Sequence, residues 1–180
     1  MMGQLIAVVG PSGAGKDTLI DAARTARPDL LIVRRVITRP TEAGGEDFEG
    51  ITEAEFTTRK TRGEFALDWR AHGLRYGLPA LQIAEHLAGR DVLFNGSRYA
   101  LDAAATLFPH LRVIRVSAPS AVLRDRLLAR GRETAEEIDA RIARASYDVP
   151  AALRVTDVVN GGPLSEGVAR FLAALQPVNA

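Results

Sequence analysis

The sequence predicts an α/β fold of three layers, with a mostly parallel central sheet between helices. Three observations lead there. Short continuous apolar runs rich in β-branched residues recur along the chain, the pattern of strands buried on both faces. Helix-length segments separate them, as crossovers between parallel neighbours require. One polar and aromatic stretch with scattered glycines, from about Arg39 to Gly77, breaks the alternation and reads as an inserted subdomain rather than a sheet layer. The 180 residues suit one domain, or one domain with a small insert.

The elements follow in order. Leu5 to Val9 is a buried strand that stops at Gly10, and Asp17 to about Arg27 is a helix ended by Pro28. Leu30 to Ile37 reads as the second strand, despite Arg34 and Arg35. Inside the insert, Glu53 to Arg59 is a short periodic stretch. Pro79 to Ala88 then reads as helix, Asp91 to Asn95 as strand, Arg98 to Leu107 as helix and Leu111 to Ser117 as strand. Pro119 to Ala129 is a helix with proline near its first turn. Thr134 to Tyr147 is another, opened by Thr134 with Glu137 three residues on, a capping-box pattern. Val155 to Val159 is the last strand and Leu164 to Leu175 the last helix. A single domain over 1–180 is expected, with its core at about 1–38 and 79–180, the insert at about 39–78, and a helical lid at about 130–145.

Composition narrows the function. With 47% hydrophobic and 25% charged residues the chain suits a soluble globular enzyme and not a disordered segment. Lys+Arg of 23 against Asp+Glu of 22 argues against nucleic acid held by bulk charge. The absence of cysteine excludes disulfide scaffolds, thiol nucleophiles and cysteine zinc sites. No apolar run approaches the ~18 residues of a membrane helix. The first residues lack a basic region and run into a glycine-rich loop, so no signal peptide is expected. A cytoplasmic protein with no nucleic acid or membrane partner is the expectation, and the oligomeric state stays open. His72, His86 and His110 form no metal-spaced set.

The segment Gly10-Pro11-Ser12-Gly13-Ala14-Gly15-Lys16 fits G-x-x-x-x-G-K and sits where that motif requires, after a buried strand and before a helix. Glycines let the backbone curl around phosphates, the following helix adds its positive end, and Lys16 reaches the β- and γ-phosphates as a point charge. A P-loop NTPase fold that binds ATP is expected, with contacts from Gly10 through Lys16 and on to Asp17 and Thr18. The position after Lys16 is normally Ser or Thr, whose hydroxyl ligates Mg²⁺, but here it is Asp17. The usual partner carboxylate at a neighbouring strand end is replaced by Asn95. Asp17 either supplies a carboxylate near Mg²⁺ or only caps the helix.

Arg124, Arg126, Arg130, Arg132, Arg141 and Arg144 crowd a stretch interleaved with acids, which by itself describes a solvated helix face. Position argues for more. Arg130-Gly131-Arg132 separates two helices, which suits a mobile flap, and Arg141 shares a helix face with Arg144. Arginines that close over a transferring phosphoryl group supply much of its catalysis, so catalytic roles are expected for Lys16, Arg130 and Arg141.

These features resemble the guanylate kinase family of P-loop kinases over nearly the whole chain. The resemblance rests on Gly10 to Lys16, Thr38-Arg39, Glu55-Phe56, Gly63-Glu64-Phe65, Tyr76-Gly77, Arg126-Leu127, Arg130-Gly131 with Glu137 and Arg141, and Val159-Asn160. It implies that the insert binds the acceptor, that Arg39 and Tyr76 grip the acceptor phosphate, and that Asn160 lies by the adenine. The groups that would read guanine are missing or displaced, since Leu67 stands where an acid is needed, with Asp68 one place off, and Asn95-Gly96-Ser97-Arg98 takes the place of the guanine-contacting aspartate region; Phe48 stands where the family has a second phosphate-binding tyrosine. Gly15-Lys16-Asp17, Ile37-Thr38-Arg39-Pro40, Asn95-Gly96-Ser97-Arg98, Phe65-Ala66-Leu67 with Trp69, and Gly131-Arg132-Glu133 are similar to the ribose 1,5-bisphosphate phosphokinase branch of phosphonate breakdown. That likeness implies γ-phosphoryl transfer from ATP, with Mg²⁺, to the 1-phosphate of ribose 1,5-bisphosphate. The acceptor contacts would then be Arg39, Tyr76, Asn95, Ser97 and Arg98, the metal contact Asp17, and Arg34, Arg35, Arg75 or Arg98 could hold the second phosphate. The alternatives are a nucleoside monophosphate kinase using Asp68, and a non-catalytic binding module of the same fold.

Overall fold

The computed structural model describes residues 2–143 and 148–177. Its central sheet has five parallel strands in the order β2-β7-β1-β8-β9: β1 Leu5–Val9, β2 Leu31–Ile32, β7 Val92–Asn95, β8 Arg112–Ser117 and β9 Arg154–Val159. β1 lies mid-sheet, which is why all five of its residues are buried and apolar. Its side chains alternate between two cores. Ile6 and Val8 join Leu19, Ile20 and Ala23 of α1 (Lys16–Ala26) and Phe171 of α7 (Leu164–Ala174). Leu5, Ala7 and Val9 join Leu101 and Ala104 of α4 (Leu101–Leu107) and the apolar residues of the insert.

The insert differs from the expectation, because it contains a sheet of its own. Four strands run in the order β4-β3-β6-β5: β3 Arg35–Ile37, β4 Phe48–Gly50, β5 Phe65–Ala71 and β6 Leu74–Pro79. β3 and β4 are parallel, whereas β6 is antiparallel to both β3 and β5. Three-residue strands such as β3 and β4 are too short to show an alternation of their own. The expected strand from Leu30 to Ile37 is two strands in two sheets. Val33 N–H still donates to Leu93 of the central sheet at 2.8 Å, but Arg34 N–H turns to Gln82 Oε1 at 2.9 Å. From Arg35 onward the backbone belongs to the insert, where that guanidinium finds buried partners. β5 and β6 meet in a two-residue turn, His72-Gly73, with both φ positive (51° and 73°), the primed geometry that suits strand twist.

The other helices are α2 (Glu53–Thr61), α3 (Ala80–Ala84), α5 (Ser120–Arg130) and α6 (Ala135–Ala143). α3 is shorter than expected, since β6 extends through Pro79. Thr134 caps α6 as expected: Glu137 N–H donates to its Oγ1 at 3.3 Å, and Thr134 N–H to Glu137 Oε2 at 2.8 Å. Arg144 and Tyr147, expected on the same helix, lie outside the described residues. No helix among the described residues is long and apolar enough to cross a membrane.

Candidate active site

The site forms beyond the carboxyl ends of β1 and β7, where open parallel sheets bind ligands. A cavity of about 1120 Å³ opens there between the Gly10–Lys16 loop, the insert sheet and α6. Two glycines of the loop are obligatory. Gly10 has φ 153°, and a Cβ there would collide with the Val116 carbonyl oxygen of β8. Gly15 has φ 91°, and its Cβ would lie 2.5 Å from Asn160 Nδ2. The loop is braced from behind. Asn160 Nδ2 donates to the Ala14 carbonyl at 2.8 Å, Arg126 Nη1 to that of Gly13 at 3.1 Å, and Arg126 Nη2 to that of Asn160 at 2.9 Å. No side chain caps α1, so its positive end is left to whatever the loop holds.

Lys16 Nζ folds back onto its own loop, donating to the Gly10 carbonyl at 2.7 Å and that of Pro11 at 3.2 Å. Burial pushes the ammonium down to about 8; Asp17 opposes the shift, and the Arg35 and Arg130 charges add to it. Asp17, in the first turn of α1, accepts from Asn95 Nδ2 at 3.0 Å. Compared with a P-loop hydroxyl facing a strand-end carboxylate, the carboxylate and its neutral partner have exchanged sides. One exposed carboxylate beside the phosphate loop suits a hard divalent ion that takes its other ligands from phosphates and water. Among the described residues no group of three or more His, Asp or Glu side chains could hold a metal without such a substrate.

On the lid side, Arg141 of α6 lines the cavity. Its Nη1 contacts both oxygens of Glu133 at 2.7 Å, and its Nη2 donates to Ser12 Oγ of the loop at 3.1 Å. Arg132 also lines the cavity, while Arg130, expected to be catalytic, is exposed at the end of α5 and is not part of the lining. Its charge still reaches Lys16. Gly131 between the two arginines has φ 63° and ends α5.

On the insert side, Tyr76 of β6 stacks on Trp69 of β5, with ring centres 5.4 Å apart and planes 4° apart. Burial pushes the Tyr76 hydroxyl up. Ser97 accepts from Tyr99 N–H at 3.3 Å to open a short 3₁₀ turn, which sets Arg98 at the rim; Arg98 Nη2 lies 3.1 Å from Tyr99 Oη. His72, at the hairpin tip, also lines the cavity, and its pKa is lowered by partial burial and then by the charges of Arg141 and Arg98.

Several expected residues lie elsewhere. Arg39 does not line the cavity; it lies over Phe48, 4.3 Å from the ring centre, with Nη2 on the Gly44 carbonyl at 3.0 Å. Asn160 is 3% exposed and braces the loop, with its side chain held between Gly15 and Gly167 rather than facing the cavity. Thr18 is exposed on α1 outside the lining. Asp68 is tied to Lys60 at 2.7 Å and Leu67 is buried in the core, so neither offers an acid to a base in the cavity. Arg34 and Arg75 are engaged outside it, with Asp47 and with Glu53 and Thr57. Two residues gain importance. Arg126 joins two ends of the loop's brace, and Glu46, which no motif marked, lines the cavity paired with Arg35.

No protein-family model matches the chain. Among solved structures, a guanylate kinase from Anaplasma phagocytophilum superposes with a TM-score of 0.71 at 18% identity, over 97% of this chain and 85% of that one. A bifunctional ribose 1,5-bisphosphokinase-thymidine phosphorylase from Cupriavidus necator is 48% identical over 97% of this chain, which spans 29% of that protein's length. A ribose 1,5-bisphosphate phosphokinase PhnN from Ruegeria sp. is 48% identical over 99% of this chain and 94% of its own, and one from Pseudomonas paraeruginosa is 48% identical over 97% and 96%. Identity of that order along nearly the full length of both chains makes this protein a member of the ribose 1,5-bisphosphate phosphokinase family.

Proposed function

We propose that the protein transfers the γ-phosphoryl group of ATP to the 1-phosphate of ribose 1,5-bisphosphate, giving 5-phospho-α-D-ribose 1-diphosphate and ADP. The observation that carries the reading is that Lys16 of the phosphate loop and the Tyr76–Trp69 wall of the insert face one cavity. The nucleophile is an ionised phosphate oxygen of the acceptor. It bonds to the γ-phosphorus while the bond to the β,γ-bridging oxygen breaks and leaves with ADP. No proton has to be removed, so positioning and charge neutralisation carry the rate.

On this reading, ATP phosphates take Lys16 from the Gly10 and Pro11 carbonyls, and the γ-phosphoryl oxygens take Arg141 from Ser12 and Glu133. Arg132 and Arg130, on either side of the Gly131 break, come over the phosphates as the lid closes. Tyr76, Ser97 and Arg98 hold the acceptor with the Asn95 strand end. Arg39 acts by holding the Gly44 turn and packing over Phe48 at the start of β4. Mg²⁺, held by Asp17 beside the loop, would neutralise phosphate charge. A reaction fed by ATP belongs in the cytoplasm, within the one core-plus-insert domain, and neither nucleic acid nor a membrane has a part in it.

The test is ADP release by the purified protein with Mg-ATP, comparing ribose 1,5-bisphosphate with GMP at equal concentration. Turnover on the sugar bisphosphate alone is expected. Turnover on GMP alone would overturn the reading.

A further inference from the structure

Two phosphates ask for cations, but the sugar between them offers hydroxyls, and hydroxyls need acceptors. Among the acids lining the cavity, Asp17 belongs to the loop and Glu133, Glu136 and Glu137 to the lid. Glu46 alone of the acidic lining residues comes from the insert, between the glycine pair Gly44-Gly45 and β4. Its side chain is 19% exposed, and that of its partner Arg35 is 8% exposed. Arg35 grips it side-on: Nε donates to Oε2 at 2.8 Å and Nη2 to Oε1, while Nη1 donates to the Asn95 carbonyl at 3.0 Å. The guanidinium lies 5.0 Å from the centre of the Tyr76 ring and 5.9 Å from that of Trp69.

This pairing decides what the two groups can do. A bare carboxylate would repel a bisphosphate, and a bare guanidinium would take one of its phosphates. Locked together they carry no net charge. Arg35 has spent three of its five N–H donors, whereas each Glu46 oxygen keeps lone-pair capacity for an O–H donor. The charges of both Arg35 and Glu46 are felt at the Lys16 ammonium and at the Tyr76 hydroxyl. Both side chains line the cavity with Lys16 and Tyr76, and Arg35 bonds to the Asn95 strand end and lies against the Tyr76 ring, so on the reading above the pair borders the part of the cavity where the sugar beside the reacting 1-phosphate would sit. The hydroxyl nearest that phosphate is the one on C2.

We propose that Glu46 is a specificity-determining residue that accepts a hydrogen bond from the C2 hydroxyl of the pentose, with Arg35 as the positioning residue that neutralises and aims it. The proposal rests on the sugar-phosphate reading above and assigns that substrate a contact that none of the motifs named above includes. It also gives the insert a reason to carry a buried arginine on a three-residue strand, where an apolar residue would fill the sheet as well.

The experiment compares kcat/KM for ribose 1,5-bisphosphate and 2-deoxyribose 1,5-bisphosphate, in the natural protein and in Glu46→Gln. A site built to bond a hydroxyl rejects the analogue that lacks it, so the natural protein should favour ribose by roughly a hundredfold or more. Glu46→Gln swaps one acceptor oxygen for an N–H donor and leaves Arg35 unneutralised, so the rate with either sugar can move, but the ribose-over-deoxyribose ratio of kcat/KM should fall at least about tenfold. Equal use of both sugars by the natural protein overturns the proposal, and this arm needs no variant to fold. A Glu46→Gln protein that melts normally and keeps the hundredfold preference overturns it too. Turnover of neither sugar, with turnover of GMP, would overturn the functional reading and the hydroxyl contact together.

Discussion

Replacing Lys16 with methionine should abolish turnover, yet relieve the free protein of a buried charge. The Lys16 ammonium is held at about 8 rather than its ordinary 10.5, chiefly because the loop excludes water from it. That difference corresponds to at most about 3 kcal/mol of stability, an upper bound because the side chain keeps some contact with water. The sign follows from proton counting. Between pH 8 and 10.5 the unfolded chain holds a proton that the folded protein has released, so natural-protein stability rises with pH across that window and the full cost is present below it. The Lys16→Met protein lacks this dependence. Urea unfolding of both proteins without nucleotide, at several pH values from 7 to 10, isolates the lysine because every other titration cancels in the difference. The gap between variant and natural protein should shift by about 2 to 3 kcal/mol toward the natural protein over that range. A gap constant to within about 0.5 kcal/mol would refute the argument that burial, rather than phosphate, sets this charge.

Three further outcomes follow from the site. Asp17→Asn should raise the Mg²⁺ concentration for half-maximal rate about tenfold at fixed ATP, as expected if one of one or two protein carboxylates on the ion is lost; an unchanged Mg²⁺ titration would remove Asp17 from the metal. Asn160→Ala deprives the Ala14 carbonyl of its donor and should cost about 1 to 3 kcal/mol in thermal unfolding, with KM for ATP rising more than KM for the acceptor. Arg141→Ala should lower kcat by about a hundredfold or more with little loss of stability, since a partly exposed ion pair such as Arg141–Glu133 contributes less than about 1 kcal/mol. A kcat within threefold of the natural value would leave Arg141 as an ordinary surface pair.

The central sheet and the phosphate loop were legible because each rests on a local rule. Leu5 to Val9 can only be buried on both faces, and Gly10 to Lys16 needs its spacing, its strand and its helix together. The capping box at Thr134 was legible for the same reason. The insert sheet was not, because β3 and β4 are three residues each, β3 finds β6 only across the length of the insert, and β3 carries Arg35, a residue that argues for solvent until its partners are seen. Resemblance named Tyr76, Ser97 and Arg98, and all three line the cavity; it also named Arg39 and Asn160, whose side chains do not. Nothing in a linear reading reveals that the amide of Asn160 meets the carbonyl of Ala14, since only the packing of β9 and α7 against the loop brings them together. Glu46 was silent too, because an acid after two glycines looks like any exposed turn.

The same brace bears on how the molecule is made. Asn160 and Ala14 are separated by 146 residues, and Arg126 reaches back over 113 residues to Gly13. A growing chain therefore exposes the phosphate loop long before its brace exists. β1 cannot enter the middle of the sheet until β7 and β8 have been synthesised to flank it, and such long-range closure is the slow part of folding. Nucleotide binding is in this sense the last property acquired rather than the first. A nascent chain halted before Asn160 should ignore ATP, and one released just after α7 should bind it, so capture on immobilised ATP would report completion of the fold.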